Sequence, residues 1–284
     1  MKILLTGGDG FIGRHVHLRL QAAGHCTRLL SRRHGCDFVS MTEPRHWLPW
    51  VKGLDAVINC AGIFTATRQQ TFDRVHTDAP VALFQACAEA GIARVVQLSA
   101  LGADAHAPIP FLRSKGRADA FLQMLPLNWM VLRPSLVVGK GGTSSHLMQQ
   151  LARLPLIPIP GDGKQVIQPV HIEDVALALL HALEQEPACR VVAAVGPRRY
   201  TLLDWITALR QQQGLGAARI CHLPLSVARL ICQIGQGWHP LLQTDALDML
   251  QSGSYSELQP FVQLLHGMPR SPLQAIATPA GESI

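Results

Sequence analysis

Short apolar runs alternate with amphipathic stretches through the first two thirds of the chain. KILLT (2–6), CTRLLS (26–31), DAVINCAG (55–62), ARVVQLSA (93–100) and WMVLRPS (129–135) have the length and side-chain content of buried strands. Between them FIGRHVHLRLQAAG (11–24) reads as a helix closing on Gly24, and EPRHWLPWV (43–51) as a helix despite Pro49. A long helical stretch over about 71–90 ends at Gly91, and another helix lies near 111–125. Strands alternating with helices predict right-handed βαβ units and a parallel sheet.

Beyond residue 140 the pattern changes. LARLPLIPIPGDGKQ (151–165) is rich in Pro and Gly and reads as loop around short extended pieces. QPVHIEDVALALLHAL (168–183) returns to strand then helix, and RVVAAVG (190–196) is another strand. From about 200 the chain reads as mostly helical with Pro breaks, and its last ten residues as frayed. The predicted class is α/β: a doubly wound parallel sheet of the Rossmann type with a smaller, mostly helical C-terminal lobe. Residues 1–140 form the core and 165–196 return to it. Residues 141–164 and 197–284 build a lobe over the carboxyl edge of the sheet, where such sheets bind ligands.

Gly7, Gly10 and Gly13 in LLTGGDGFIGRHV form a GxxGxxG loop between the first strand and the first helix. Such glycines allow a tight turn and let backbone N–H groups approach a pyrophosphate at the positive end of the helix. The cradle comprises Thr6, Gly7, Gly10, Phe11, Ile12 and Gly13. A dinucleotide with a free ribose 2′-hydroxyl calls for a carboxylate after the second strand. Ser31, Arg32 and Arg33 stand there instead. Two guanidinium groups can grip a 2′-phosphate through charge-assisted bonds, so NADP(H) is favoured over NAD(H). Asp37 and Phe38 follow as a cap for the adenine, and Asn59, Cys60, Ala61 and Gly62 pass beneath the adenosine ribose.

Composition narrows the choice of partner. Apolar residues make up 48% of the 284 residues and charged ones 15%, which excludes a disordered chain. The net charge of +6 comes without a long Lys/Arg run, so nucleic acid is not an expected partner. Seven cysteines (26, 36, 60, 87, 189, 221, 232) show no CxxC pair, and His15 and His17 are two apart, so no metal site is expected. The dispersed thiols and the absence of a signal-peptide pattern or an 18-residue apolar run lead to the expectation of a cytoplasmic, at most membrane-peripheral protein.

Five motifs in order and spacing carry a family resemblance: TGGDGFIG, INCAG, QLSALGA, the Ser114–Lys115 pair and VLRPSLVVG (131–139). Over about residues 1–200 the chain resembles the extended and atypical short-chain dehydrogenase/reductases, the NAD(P)-dependent epimerase/dehydratase superfamily. Within it the chain looks most like the branch of the nucleotide-binding accessory subunit of respiratory complex I and its bacterial relatives. In that family a Ser or Thr, a Tyr, and a Lys four residues after the Tyr act together. The resemblance puts Ser99 in the role of the serine that binds the substrate carbonyl, and Lys115 in that of the lysine that lowers the tyrosine pKa and holds the nicotinamide ribose. It puts Pro134 and Ser135 near the nicotinamide, and His171, followed by Asp174, near the substrate pocket.

The tyrosine position is Phe111, one helical turn before Lys115, and the chain's two tyrosines are Tyr200 and Tyr255. In FDRVHTDAP, His76 occupies the place of the family's catalytic asparagine. With an unperturbed pKa near 6.5, His76 is the candidate replacement acid. Two readings stay open. One is an NADPH-dependent oxidoreductase, or an epimerase/dehydratase-like enzyme, acting on an unidentified small molecule. The other is a non-catalytic dinucleotide-binding accessory or redox-sensing protein. The helix in LPLSVARLICQIGQGW (223–238) is either a packed lid or a surface that meets a protein partner or a membrane periphery, with Arg219 and Arg229 too few for a polybasic anchor.

Overall fold

The computed structural model describes residues 1–34, 36–185, 189–235 and 243–276. In chain order the first elements are β1 (Lys2–Thr6), α1 (Phe11–Ala22), β2 (Cys26–Leu30), α2 (Pro44–Val51), β3 (Ala56–Asn59) and α3 (Ala79–Glu89). Then come β4 (Arg94–Leu98), α4 (Pro110–Met124), β5 (Trp129–Pro134), β6 (Val137–Val138), α5 (Thr143–Arg153), β7 (Leu156–Pro160), β8 (Val166–Ile167) and β9 (Val170–His171). The remainder is α6 (Ile172–Glu184), β10 (Arg190–Ala194), β11 (Tyr200–Thr201), α7 (Leu202–Gln212), β12 (Arg219–Leu223), α8 (Leu225–Gly235), α9 (Thr244–Ser252) and α10 (Gln259–Leu265). Two 3₁₀ turns, Arg32–His34 and Phe38–Ser40, follow β2, and a π-helical turn, Asp73–Asp78, leads into α3.

The chain divides into two units. The first comprises Met1–Pro134, Val175–Ala194 and Gln259–Gly267. Its six-stranded parallel sheet has the order β10-β5-β4-β3-β1-β2. Strand order reverses at β1, which pairs with β2 on one side and β3 on the other. Such a switch point opens a crevice at the carboxyl ends of the strands. Strands buried on both faces need continuous apolar runs, and Ile3, Leu4 and Leu5 of β1 and Ala56, Val57 and Ile58 of β3 are all fully buried. One helical layer packs Trp47, Leu83, Phe84 and Leu122 against Leu4, Leu30, Val57, Val95 and Val131 of the sheet. The Trp47 indole N–H is satisfied by the Met41 carbonyl at 2.8 Å.

The second unit comprises Ser135–Asp174, Val195–Leu258 and Met268–Ile284. Trp205, Ile206 and Leu209 of α7 pack with Ile157, Ile159 and Tyr200. A capping box between Thr201 and Asp204 starts α7. Three two-stranded pairs surround this core: β6 with β9, β7 with β12, and β8 with β11. The described residues after 200 are mostly helical, as expected, with one strand the reading did not include: Arg219–Leu223, paired along its length with Leu156–Pro160. Pro158 and Pro160 are tolerated there because each strand of a two-stranded pair keeps one open edge. The helix expected over 223–238 is α8, and residues 236–238 lie outside the described residues. So do residues 277–284 of the end expected to be frayed. No helix among the described residues is long and apolar enough to cross a membrane.

Candidate dinucleotide site

The glycine loop is held against both strands that flank β1. The Gly7 N–H donates to the Leu30 carbonyl at 2.9 Å, and the Gly10 N–H to the Gly7 carbonyl at 2.9 Å. Gly7 has φ +66°, and a Cβ built there would lie 2.7 Å from the Cys60 carbonyl. A Cβ on Gly13 would fall 2.2 Å from the Gly7 oxygen, so the helix can start this close to the loop only with glycine at that position. Gly10 is different: it is exposed, has φ −70° and ψ 168°, and a Cβ there would meet only the Gly7 oxygen at 3.1 Å. It caps α1 without a side-chain bond, so no capping side chain covers the N–H groups at the start of the helix, the kind of end that can hold an anion.

A cleft of about 280 Å³ opens beside this loop. Gly7, Asp9, Gly10, Ser31, Arg32, Arg33, Asp37, Phe38, Cys60, Ala61 and Gly62 all line it. Ser31 is buried, whereas Arg32 and Arg33 are exposed on the first 3₁₀ turn. The Phe38 ring packs edge-on against Trp47 at 5.4 Å, and Asp37 caps its own turn by accepting the Val39 N–H at 3.3 Å. Burial pushes the Cys60 thiol up to about 12, against the pull of Lys115, so it stays protonated and inert. These donors fit the adenosine and pyrophosphate end of a dinucleotide: a bare glycine edge, a helix N-terminus and a cationic rim share one cleft.

A hydrogen-bonded row runs across the carboxyl ends of three strands. Thr6 Oγ1 donates to Asn59 Oδ1, and Asn59 Nδ2 donates to Gln97 Oε1 at 2.7 Å. Asn59 Oδ1 also accepts the Ala61 N–H at 3.2 Å. All three side chains are buried, so the row fixes the register of β1, β3 and β4 and aims residues 60–62 into the cleft. Gln97 opens the QLSALGA motif, but its partner lies 38 residues away and no local pattern joins the two.

α4 carries Phe111, Ser114, Lys115 and Asp119. Gly116 fixes its position: a Cβ there would fall 2.1 Å from the Asp104 carbonyl carbon and 2.5 Å from the Ala105 nitrogen. Lys115 Nζ donates to the Leu98 carbonyl at 3.3 Å and stands 5.8 Å from the Phe111 ring centre. Burial lowers the lysine pKa, opposed by the Asp119 carboxylate and the Cys60 sulfur. Phe111 is 8% exposed and sits among three other rings: Phe64 at 5.3 Å, Phe72 at 5.7 Å and His76 at 5.3 Å. An apolar ring cluster thus fills the position where the resemblance expects an ionisable hydroxyl.

His76 lies on the π-helical turn and stacks on Phe72 at 5.5 Å. Its Nε2 accepts the Ile63 N–H at 3.0 Å, which puts the ring proton on Nδ1, and Nδ1 then donates to Ser114 Oγ at 3.1 Å. Ser114 Oγ in turn donates to the Phe111 carbonyl at 2.9 Å. Burial, with Lys115 adding to it, drives the His76 pKa well below 6.5. The ring is neutral with both nitrogens engaged, so the geometry gives it a structural role in place of the replacement acid expected above.

This makes a pH prediction with a definite sign. The unfolded chain takes up a proton at His76 near pH 6.5 and the folded one resists it. The stabilisation is complete above pH 6.5 and is lost below it, by up to about 1.4 kcal/mol per pH unit. Urea unfolding at pH 7 and pH 5.5 should show a smaller drop in stability for His76→Asn than for the parent. Equal drops would remove His76 as the source.

Ser99 also departs from its expected role. Its hydroxyl donates to Asp119 Oδ2 at 2.7 Å, and the same oxygen pairs with Arg133 at 2.9 Å. Asp119 is fully buried and its Oδ1 has no hydrogen-bond partner among the described residues. Burial raises its carboxyl pKa, opposed by the Ser99 bond and by Arg133 and Lys115. Sequence reasoning passed over Asp119, although its place four residues after Lys115 puts both on one helix face.

Pro134 is buried at the end of β5 in the first unit, and its carbonyl accepts the Leu101 N–H at 2.9 Å. Ser135 begins the second unit and donates to the Gln168 carbonyl at 2.5 Å. His171 Nδ1 accepts the Glu173 N–H at 3.0 Å. Asp174 accepts the Arg270 N–H at 2.6 Å, and burial raises its pKa against the pull of Arg270. No three His, Cys, Asp or Glu side chains among the described residues are grouped to hold a metal.

Comparison with known proteins agrees with this architecture. Residues 3–194 match the sequence profile of the NAD dependent epimerase/dehydratase family. The chain belongs to that family. It is 28% identical over 232 residues to a ceramide reductase of Caulobacter vibrioides, covering 77% of this chain and 70% of that protein. It is 27% identical over 221 residues to the mouse mitochondrial NADH dehydrogenase [ubiquinone] 1 alpha subcomplex subunit 9, covering 70% of this chain and 58% of the subunit. Among solved structures, the UDP-glucuronic acid 4-epimerase of Bacillus cereus, in complex with UDP-glucuronic acid and NAD, superposes with a TM-score of 0.71 at 16% identity. The match covers 97% of this chain and 96% of that one, and shows the shared fold.

Proposed function

We propose that this epimerase/dehydratase-family protein binds a nicotinamide dinucleotide and holds it without tyrosine-dependent proton transfer. One observation carries the reading: the proton-donor position is Phe111, packed among Phe64, Phe72 and His76, while His76 and Ser99 have their polar atoms engaged elsewhere. The glycine edge and the α1 N-terminus would hold the pyrophosphate, and Lys115 the ribose of the nicotinamide. When bound, the cofactor supplies a hydride donor or acceptor; this chain's residues supply position, and a dry, aromatic wall beside it. Loss of one general acid lowers a rate by about 10²–10⁴.

For the cofactor form, Arg32 and Arg33 support NADP(H), since both line the cleft directly after β2. A second reading, reduction of a lipid of the ceramide class with the proton drawn from water, is favoured by the 28% identity to the ceramide reductase. Calorimetric titration with NADPH, NADP⁺ and NADH, followed by stopped-flow absorbance with ketones and ceramide-class lipids, separates the two. Binding without hydride transfer is the expected result; turnover of any carbonyl selects the second reading. Arg32→Asp should weaken NADPH by about 10–100-fold, the worth of a charge-assisted contact, with a much smaller effect on NADH. Equal losses would remove Arg32 from the 2′-phosphate.

A further inference from the structure

At the end of β2, where a carboxylate would receive the ribose 2′-hydroxyl, the residue is Ser31, and its hydroxyl donates to Asp9 Oδ2. Asp9 belongs to the glycine loop, 22 residues earlier in the chain. The loop is tied to this spot by the bond from the Gly7 N–H to the Leu30 carbonyl, which brings residue 9 alongside residue 31. Asp9 and Ser31 line the cleft together with Arg32 and Arg33. A carboxylate from a different element thus stands beside the end of β2.

We propose that Asp9 sets the cofactor preference of this site, receiving the ribose hydroxyls of NAD(H) and opposing the 2′-phosphate of NADP(H). This rests on the reading of the cleft as a dinucleotide site. An ionised carboxylate is an acceptor at both oxygens, with about four acceptor positions, which is the chemistry a vicinal diol needs. A 2′-phosphate brings between about −1.5 and −2 charges to the same place. Two like charges a few ångströms apart at a protein surface repel strongly enough to change affinity by about tenfold. Arg32 and Arg33 act in the opposite direction on the same phosphate. Asp37 also lines the cleft, with its carboxylate bonded to the Val39 N–H. With cations and a carboxylate facing one ribose, the parent protein accepts both cofactors, with affinities within about tenfold of each other.

The test is calorimetric titration of NADPH and NADH at one salt concentration against the parent, Asp9→Asn and Asp9→Ser. Serine keeps a small polar side chain suited to a loop, so the test does not depend on the asparagine variant folding. The expected result is NADPH binding tightened about tenfold and NADH binding weakened in either variant. An NADPH-to-NADH ratio unchanged from the parent overturns the proposal. If the parent binds neither cofactor, the reading of the cleft falls first and the role of Asp9 with it. If the parent binds both and only the ratio fails to move, the cleft stands and Asp9 alone is excluded.

Discussion

Gly10→Val should abolish dinucleotide binding, with a loss of at least about a hundredfold, while the protein still folds. The backbone at Gly10 is extended, with φ −70° and ψ 168°, a conformation valine adopts without strain. A Cβ there meets the Gly7 oxygen at 3.1 Å, a tight contact that the loop must relieve by a few tenths of an ångström, and the rest of the side chain would enter the space proposed for the pyrophosphate. Isothermal titration should show no measurable heat with NADPH, while the thermal midpoint stays within a few degrees of the parent. Retained affinity would move the cofactor away from this loop. Gly13 makes the contrast. Any side chain there collides with the Gly7 carbonyl, so a Gly13 variant fails by misfolding and says nothing about the ligand.

Asp119→Ala should be the most damaging change at a buried polar position, costing about 3–5 kcal/mol of stability at pH 7. The carboxylate is fully buried, accepts the Ser99 hydroxyl and pairs with Arg133, which is three-quarters buried itself. Alanine leaves the hydroxyl without its acceptor, the guanidinium without its partner and Lys115 without its neighbouring negative charge. Asp119→Asn should cost less, because an amide oxygen can still accept from Ser99. Urea unfolding measures both; a loss under about 1 kcal/mol for the alanine variant would mean the network contributes little.

The core of the first unit was legible because a parallel sheet buried on both faces must be written in continuous apolar runs. KILLT is the clearest case: the predicted strand and β1 share the same residues, 2–6. The glycine loop was legible for a steric reason, since Gly7 and Gly13 stand where no side chain fits. β12 was not, because RICHL is short and lacks apolar–polar alternation, and its partner strand carries two prolines. The π-helical turn at 73–78 was read as ordinary helix, for its extra residue per turn has no local signature. At the site, position could be read and orientation could not. Ser99 stands where the motif puts it, yet which neighbour its hydroxyl faces is decided by Asp119 on another element. Asp9 carried no signal of its own in the sequence, since only the fold brings it alongside Ser31, 22 residues away.

α4 has one more consequence. Because residue 116 is a glycine, the helix sits closer to the Asp104–Ala105 backbone than any side chain there would allow. The spacing between the ammonium of Lys115 and whatever stands at 111 is therefore a property of the frame and not of the ring now filling it. New chemistry could be installed at 111 one side chain at a time, on a mounting whose alignment is already machined.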